Sequence, residues 1–269
     1  MKRFPLLQLF TLVCLCTASF ADRGAGSSAV KLSPSRSQAG TTLDAKKACF
    51  AGGEESLVVP ALDGTGVAGD AGAPRVQKRG DGITMVGLVS VDPQRGRISF
   101  PAKVNQRSGL VEYAVVTSKG KVHESVFVTE AAATHIHVAA LLLKLAPPEG
   151  QTEPVKLAVE VEWQQDGSAR RESLERLIVH AKDSGAVRAG STLSPEAWHY
   201  AGPALNEGAL VAETEGSVVA LITDAAALIQ NPRAGRVDDE LHAPNSDSLP
   251  GQGSPVVVHL LPFKDKKTE

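Results

Sequence analysis

The chain has 269 residues, with 28 Lys and Arg against 30 Asp and Glu and a formal charge of -2. Apolar residues make up 42% and charged residues 22%, the balance of an ordinary globular protein. That balance excludes a nucleic-acid binder built on a basic face, and it excludes an acidic disordered chain.

Lys2 and Arg3 precede an apolar stretch from Phe4 to Leu15, and small residues follow at Ser19 and Ala21. A basic start, a short apolar run and small residues before a cleavage point predict a secretory signal over residues 1–21. The run falls short of the ~20 residues that a membrane span requires. Val13 before Cys14 and Leu15 before Cys16 are not the small residues that a lipid-anchor site needs. The expectation is export, to the periplasm or beyond the cell, with no membrane span after cleavage. Cleavage leaves Cys49 as the sole thiol, so no internal disulfide and no thiolate metal set can form.

Residues 22–82 hold 11 Gly, 10 Ala, 6 Ser and 3 Pro, with Phe50 the one aromatic residue. Such a segment buries too little apolar surface to offset its ordering entropy, which predicts a flexible leader. From Ile83 onward the aromatic residues gather, and residues 83–263 read as one domain, followed by a charged tail over 264–269. Within the domain, Ile83 to Val89 predicts a strand ending at Asp92-Pro93, and Arg97 to Val104 a partner strand made irregular by Pro101. Leu110 to Thr117 and Lys121 to Val128 flank Ser118-Lys119-Gly120, which predicts a hairpin. Thr134 caps a helix from His135 to Leu145, with Val138, Leu141, Leu142 and Leu145 at helical spacing. Val155, Leu157, Val159, Val161 and Trp163 alternate with polar residues and small Ala158, marking a strand with one buried face, and Asp166-Gly167 turns it back. Ser173 to Lys182 fits helix and strand equally. Further strands are expected at Trp198–Ala201, Leu210–Ala212, Ser217–Ile222 and Val256–Leu261, with a short helix from Ala225 to Gln230. The expected class is α+β, a single domain with a mainly antiparallel or mixed sheet and few helices.

Motifs for chemistry are incomplete. Gly64-Thr65-Gly66-Val67-Ala68-Gly69 matches the dinucleotide pattern but lacks the following helix that would meet the pyrophosphate. His123-Glu124 begins like a zinc-hydrolase HExxH, yet Phe127 stands where the second histidine belongs, and the surrounding pattern is strand rather than helix. Glu112 and Glu124 each share an alternation face with apolar neighbours, so each needs a basic partner if that face is buried. A tight turn at Lys119-Gly120 would pair Val116 with His123 and leave Glu112 about 13 Å away along its strand. On that register Glu112, His123 and Glu124 form no single catalytic cluster, and at least one carboxylate is expected to pair with Lys or Arg. His135 and His137, two apart on a helix, point to different sides and cannot chelate together. No cofactor, metal or catalytic set is expected.

The run Ser99-Phe100-Pro101-Ala102-Lys103-Val104-Asn105, then Gly109 to Tyr113, then Gly120-Lys121-Val122-His123-Glu124-Ser125 resembles the YdjY-type domain of exported bacterial proteins. Ala139 to Leu143, Glu162-Trp163, Trp198-His199-Tyr200-Ala201-Gly202, Gly216 to Asp224 and Asn231-Pro232 continue the likeness. The resemblance implies export and one α+β domain, and it singles out Glu112, His123 and Glu124 as family-pattern positions; it supplies no mechanism. The resulting expectation is a non-catalytic exported domain that binds an envelope protein or a small ligand and no nucleic acid. The alternatives are a structural envelope component and a hydrolase using His123 with Glu112 or Glu124.

Overall fold

The computed structural model describes residues 75–147, 151, 153–202 and 204–264. The expected signal segment, Cys49, the Gly64–Gly69 match, most of the leader and residues 265–269 of the tail lie outside the described residues.

Val76–Lys78 (β1), Thr84–Val86 (β2), Val89–Asp92 (β3) and Arg97–Val104 (β4) form an antiparallel meander. The single strand expected over Ile83–Val89 divides at Gly87, which turns the chain with φ +57°. A Cβ there would sit 2.2 Å from His135 Nδ1, so the close packing of the helix on this turn admits only glycine. β1 lies within the span read as leader. β4 has the expected bounds, and one of its edges changes partner, from β3 over 97–99 to a later strand over 103–104. Pro101 falls at that change, where its missing N–H faces a gap in the ladder and its carbonyl accepts the Thr129 hydroxyl at 2.6 Å.

Tyr113–Thr117 (β5) and Ser125–Thr129 (β6) pair in parallel, Tyr113 with Ser125 and Thr117 with Thr129. The expected hairpin is therefore wrong. The chain does not reverse at Lys119-Gly120; a 3-10 turn at Val122–Glu124 carries it back to the starting end of β5. Two glycines allow a close crossing: a Cβ on Gly120 would sit 2.9 Å from the Gly216 carbonyl oxygen, and one on Gly216 would sit 2.4 Å from the Gly120 Cα. Ala133–Leu142 (α1) starts two residues before the expected helix. Its cap is not Thr134; the Glu213 carboxylate accepts the Thr134 N–H at 3.0 Å and its hydroxyl at 3.2 Å.

Val155–Gln165 (β7) and Ser168–Ser173 (β8) form the expected hairpin, with Asp166 and Gly167 both at positive φ as a two-residue turn demands. Ile178–His180 (β9), Trp198–Tyr200 (β10), Leu205–Asn206 (β11), Ala209–Leu210 (β12), Val211–Glu215 (α2) and Ser217–Ala220 (β13) follow. The helix expected over Ala225–Gln230 is absent. The Asp224 side chain instead accepts the Ala226 N–H at 2.8 Å in a turn, and Ile229–Gln230 is a strand (β14). His242–Pro244 (β15) pairs with β9, and Pro255–Pro262 (β16) ends the fold.

The strands join in the cyclic order β4-β16-β7-β10-β14-β13-β5-β6 and back to β4. This is a closed, mostly β barrel of eight strands, and the α+β assignment does not hold. The correction has two causes: an expected helix is a turn and strand, and closure rests on pairing between distant segments that local periodicity cannot display. Inside, Ile98, Phe100 and Ala102 of β4, Val258 and Leu260 of β16 and Val159, Val161 and Trp163 of β7 belong to one buried cluster. The outer face of the same three strands carries Ser99, His259, Glu160 and Glu162, alternating with the core residues as strand geometry requires.

Trp163 is 2% exposed. Trp163→Ala is expected to lower stability by about 3–5 kcal/mol, measured by urea denaturation. An unchanged midpoint would place the indole outside the core.

Candidate functional site

The three residues singled out in sequence are brought to one rim of the barrel by the crossover. The Glu112 N–H donates to the Glu124 carbonyl at 2.9 Å, which sets the 3-10 turn against the start of β5. Lys121 Nζ then lies 3.3 Å from Glu112 Oε2 and 3.9 Å from Glu124 Oε2, and His123 Nε2 lies 3.4 Å from Glu124 Oε1. The 13 Å separation expected for Glu112 and His123 was derived from a hairpin that does not exist. The expected basic partner is present: it is Lys121. Its ammonium also lies 5.3 Å from the Tyr113 ring centre. Burial pulls Lys121 down, but Tyr113 and Glu112 outweigh it and hold the ammonium above its ordinary pKa. Burial, together with the Asp224 carboxylate, pushes the Tyr113 phenol up. The His123 side chain is 77% exposed, and its backbone carbonyl accepts the Gln106 amide. The arrangement is a local ion-pair group in which one ammonium serves two carboxylates. His135 and His137 do separate on α1, with His135 against Gly87 and His137 Nδ1 at 2.8 Å from the Tyr200 hydroxyl.

A larger feature lies on the outer wall made by β7 and β10. A cleft of about 760 Å³ is lined by Lys156, Glu160, Glu175, Glu196, His199 and Phe263, among others. A second cleft, of about 410 Å³ and bordered by Gln230 and Arg236, shares His199 and Pro232 with it. His199 faces Lys156 directly across the strand pair and Gln230 on its other side. Strand alternation explains the exposure of these residues, because Trp198 and Tyr200 on the opposite face are fully buried.

Two of the three carboxylates of the larger cleft are paired with arginines, and the third accepts a hydroxyl. Glu175 Oε1 accepts the Trp198 indole N–H at 2.7 Å and Arg233 at 3.2 Å. Glu160 lies 3.6 Å from Arg171, and Glu196 accepts the Ser194 hydroxyl at 2.7 Å. Among the described residues, no carboxylate lies within ion-pair distance of Lys156, His199 or Arg236. Burial and the charges of Lys156, Arg233 and Arg236 hold the His199 imidazole below its ordinary pKa. Among the described residues, Lys156 and Arg236 thus stand beside the imidazole without carboxylate partners, and Glu196 is the cleft carboxylate without a basic one.

A third polar group crosses β4, β16, β7 and β8. Ser99 Oγ lies 2.8 Å from His259 Nδ1, His259 Nε2 lies 3.3 Å from Glu162 Oε2, and Arg171 Nε donates to Glu162 Oε2 at 2.7 Å. The order Ser–His–Glu has the composition of a hydrolase triad. His259, however, is 3% exposed, and the three side chains bridge neighbouring strands of the barrel wall. It is a cross-strand hydrogen-bond ladder. None of Lys156, His199, Ser99 or His259 was identified as a site residue from sequence. The one available signal was the outward alternation of Lys156, Glu160 and Glu162 along β7.

Burial and the Arg171 and Arg97 charges push His259 down to about 4. Burial works to raise Glu162, but Arg171 and His259 outweigh it and hold the carboxyl below its ordinary value. Between pH ~6.5 and ~4 the unfolded chain takes up a proton at this histidine that the folded chain refuses, so stability falls as pH drops through that window. His259→Gln is expected to flatten the pH dependence there by up to one proton, about 1.4 kcal/mol per pH unit. Denaturation midpoints at pH 7, 5.5 and 4.5 check this. An unaltered slope in the variant would show that the ladder does not hold the imidazole neutral.

Among the described residues, no helix is long and apolar enough to cross a membrane. No curated protein matches the chain, and no solved structure does. The family model of the YdjY domain matches residues 89–261, the span from β3 to the end of the barrel's last strand. The chain belongs to the YdjY domain family.

Proposed function

We propose that this domain is a non-catalytic binding domain of the cell envelope, exported by its N-terminal signal, and that it takes a small anionic ligand in the cleft over His199. The observation that carries this reading is the side-by-side placement of Lys156 and His199, with Arg236 beyond, where Glu160 and Glu175 are already paired with Arg171 and Arg233. Cations without carboxylate partners, beside a half-buried imidazole, favour an anion, and a cleft of this volume suits a small molecule. The imidazole adds a pH-sensitive donor: an anion in contact with it raises its pKa, so binding tightens as pH falls toward the imidazole's range.

The test is thermal melting of the full chain at low ionic strength, where screening is weakest, with phosphate, citrate and succinate against neutral sugars. The expected result is a raised midpoint with one or more anions, larger at pH 6 than at pH 8. That gain should be lost in Lys156→Ala/His199→Ala. Equal shifts with neutral compounds, or an anion effect retained by the double variant, would sink the assignment.

A further inference from the structure

His180 and His242 face each other as a register pair of the short β9–β15 ladder. Their ring centres are 5.9 Å apart, with planes tilted by 39°. His180 Nδ1 lies 3.0 Å from the Ser191 carbonyl and 3.1 Å from its hydroxyl. Donation to that carbonyl places the proton on Nδ1 and leaves the Nε2 lone pair free, the arrangement by which a backbone carbonyl orients a metal-binding imidazole. His242 is 0% exposed, and neither of its ring nitrogens has a hydrogen-bond partner. Buried polar atoms without partners are rare because their lost hydration is not replaced. A cleft of about 430 Å³, lined by His180, Arg188, Ser191 and Ser194, brings solvent to the His180 side of the pair.

We infer that His180 and His242 together bind one monovalent d10 metal ion, cuprous copper, through one ring nitrogen each. Three observations converge on this. Two imidazoles sharing an ion at nitrogen–metal distances of about 2 Å have ring centres roughly 5–6.5 Å apart, which brackets the observed spacing. Among the described residues, no set of three or more His, Cys, Asp or Glu side chains is placed to hold a metal, so the pair offers only two protein ligands. The carboxylate acting on His242, Asp238, is held by Lys182 at 3.1 Å, and the Arg233 guanidinium adds positive charge. Two neutral donors without an anionic partner do not compensate a divalent charge, whereas cuprous ion accepts two nitrogen ligands and carries a single charge. Imidazole is a suitable donor for copper.

The experiment uses the full chain with Cys14→Ser, Cys16→Ser and Cys49→Ser, so that no thiol accounts for binding. Anaerobic titration with cuprous ion against a chromophoric chelator should show one equivalent retained. Nitrogen–proton spectra of the side chains should shift at His180 and His242 and at no other imidazole. His180→Ala and His242→Phe should each weaken retention by at least roughly tenfold. If either variant unfolds, the imidazole spectrum of the parent chain decides. Failure to retain copper, or unmoved His180 and His242 resonances on its addition, would overturn the site. Zinc retained as tightly as cuprous ion would overturn the assignment of a monovalent ion.

Discussion

The barrel exists because β4 reaches β6, and that junction spans two residue pairs, Lys103 with Val128 and Val104 with Phe127. Asn105, the next residue, reinforces it. Its backbone N–H donates to the Val126 carbonyl at 2.7 Å, and its side-chain amide donates to the carbonyls of Val122 and, at 2.9 Å, Ser125. One side chain thus joins the end of β4 to the 3-10 turn that makes β6 run parallel to β5. Parallel neighbours ordinarily need a crossover of a dozen residues or more. Here residues 118–124 suffice, because the turn is held by Asn105 and passes directly over Gly216. The gathering of Glu112, Lys121, His123 and Glu124 is a by-product of that tight return.

The clefts owe their shape to a different group. Glu175, Arg233 and Trp198 are all buried, and the guanidinium lies 4.8 Å from the indole centre. Arg233 also donates to the carbonyls of Ser194 and Glu196, which ties the segment before β10 to the barrel wall. Arg233 lines the cleft beside His180 and Glu175 lines the cleft beside His199, so the group forms the partition between the two. Such a buried pair adds little net stability over an apolar substitute, yet removing one partner strands a charge at a cost of several kcal/mol. Its role is to set geometry: it fixes the partition and consumes a carboxylate that would otherwise cancel the cations of the cleft.

Much of the strand content was legible because burial follows local pattern. The alternation from Val155 to Trp163, the Asp166-Gly167 turn and the run of β4 each declare themselves within ten or so residues. What was not legible depends on partners far away in the chain. Ser99 and His259 meet across 160 positions, and His180 and His242 across a ladder whose strands are three residues long. The crossover was misread for a physical reason: Ser118-Lys119-Gly120 has the composition of a hairpin turn, while the glycine is required by the backbone of residue 216, which nothing nearby announces. The helix expected after Asp224 failed because an Asp that can cap a helix can equally close a turn on its own backbone.

The position of β16 has a consequence for how the molecule is made. It is the last strand among the described residues, and it is also the stave inserted between β4 and β7, pairing Phe100 on one side and Val161 on the other through Val258. Without residues 255–262 the described barrel strands leave β4 and β7 unpaired along the edges that β16 covers. Ring closure joins segments more than 150 residues apart, and slow assembly is the expected cost of that topology. Until the C-terminal segment arrives, the growing polypeptide offers two templates for strand addition by another chain. A nascent molecule with this connectivity gains from being kept apart from its own kind until its last eight-residue stave is in place.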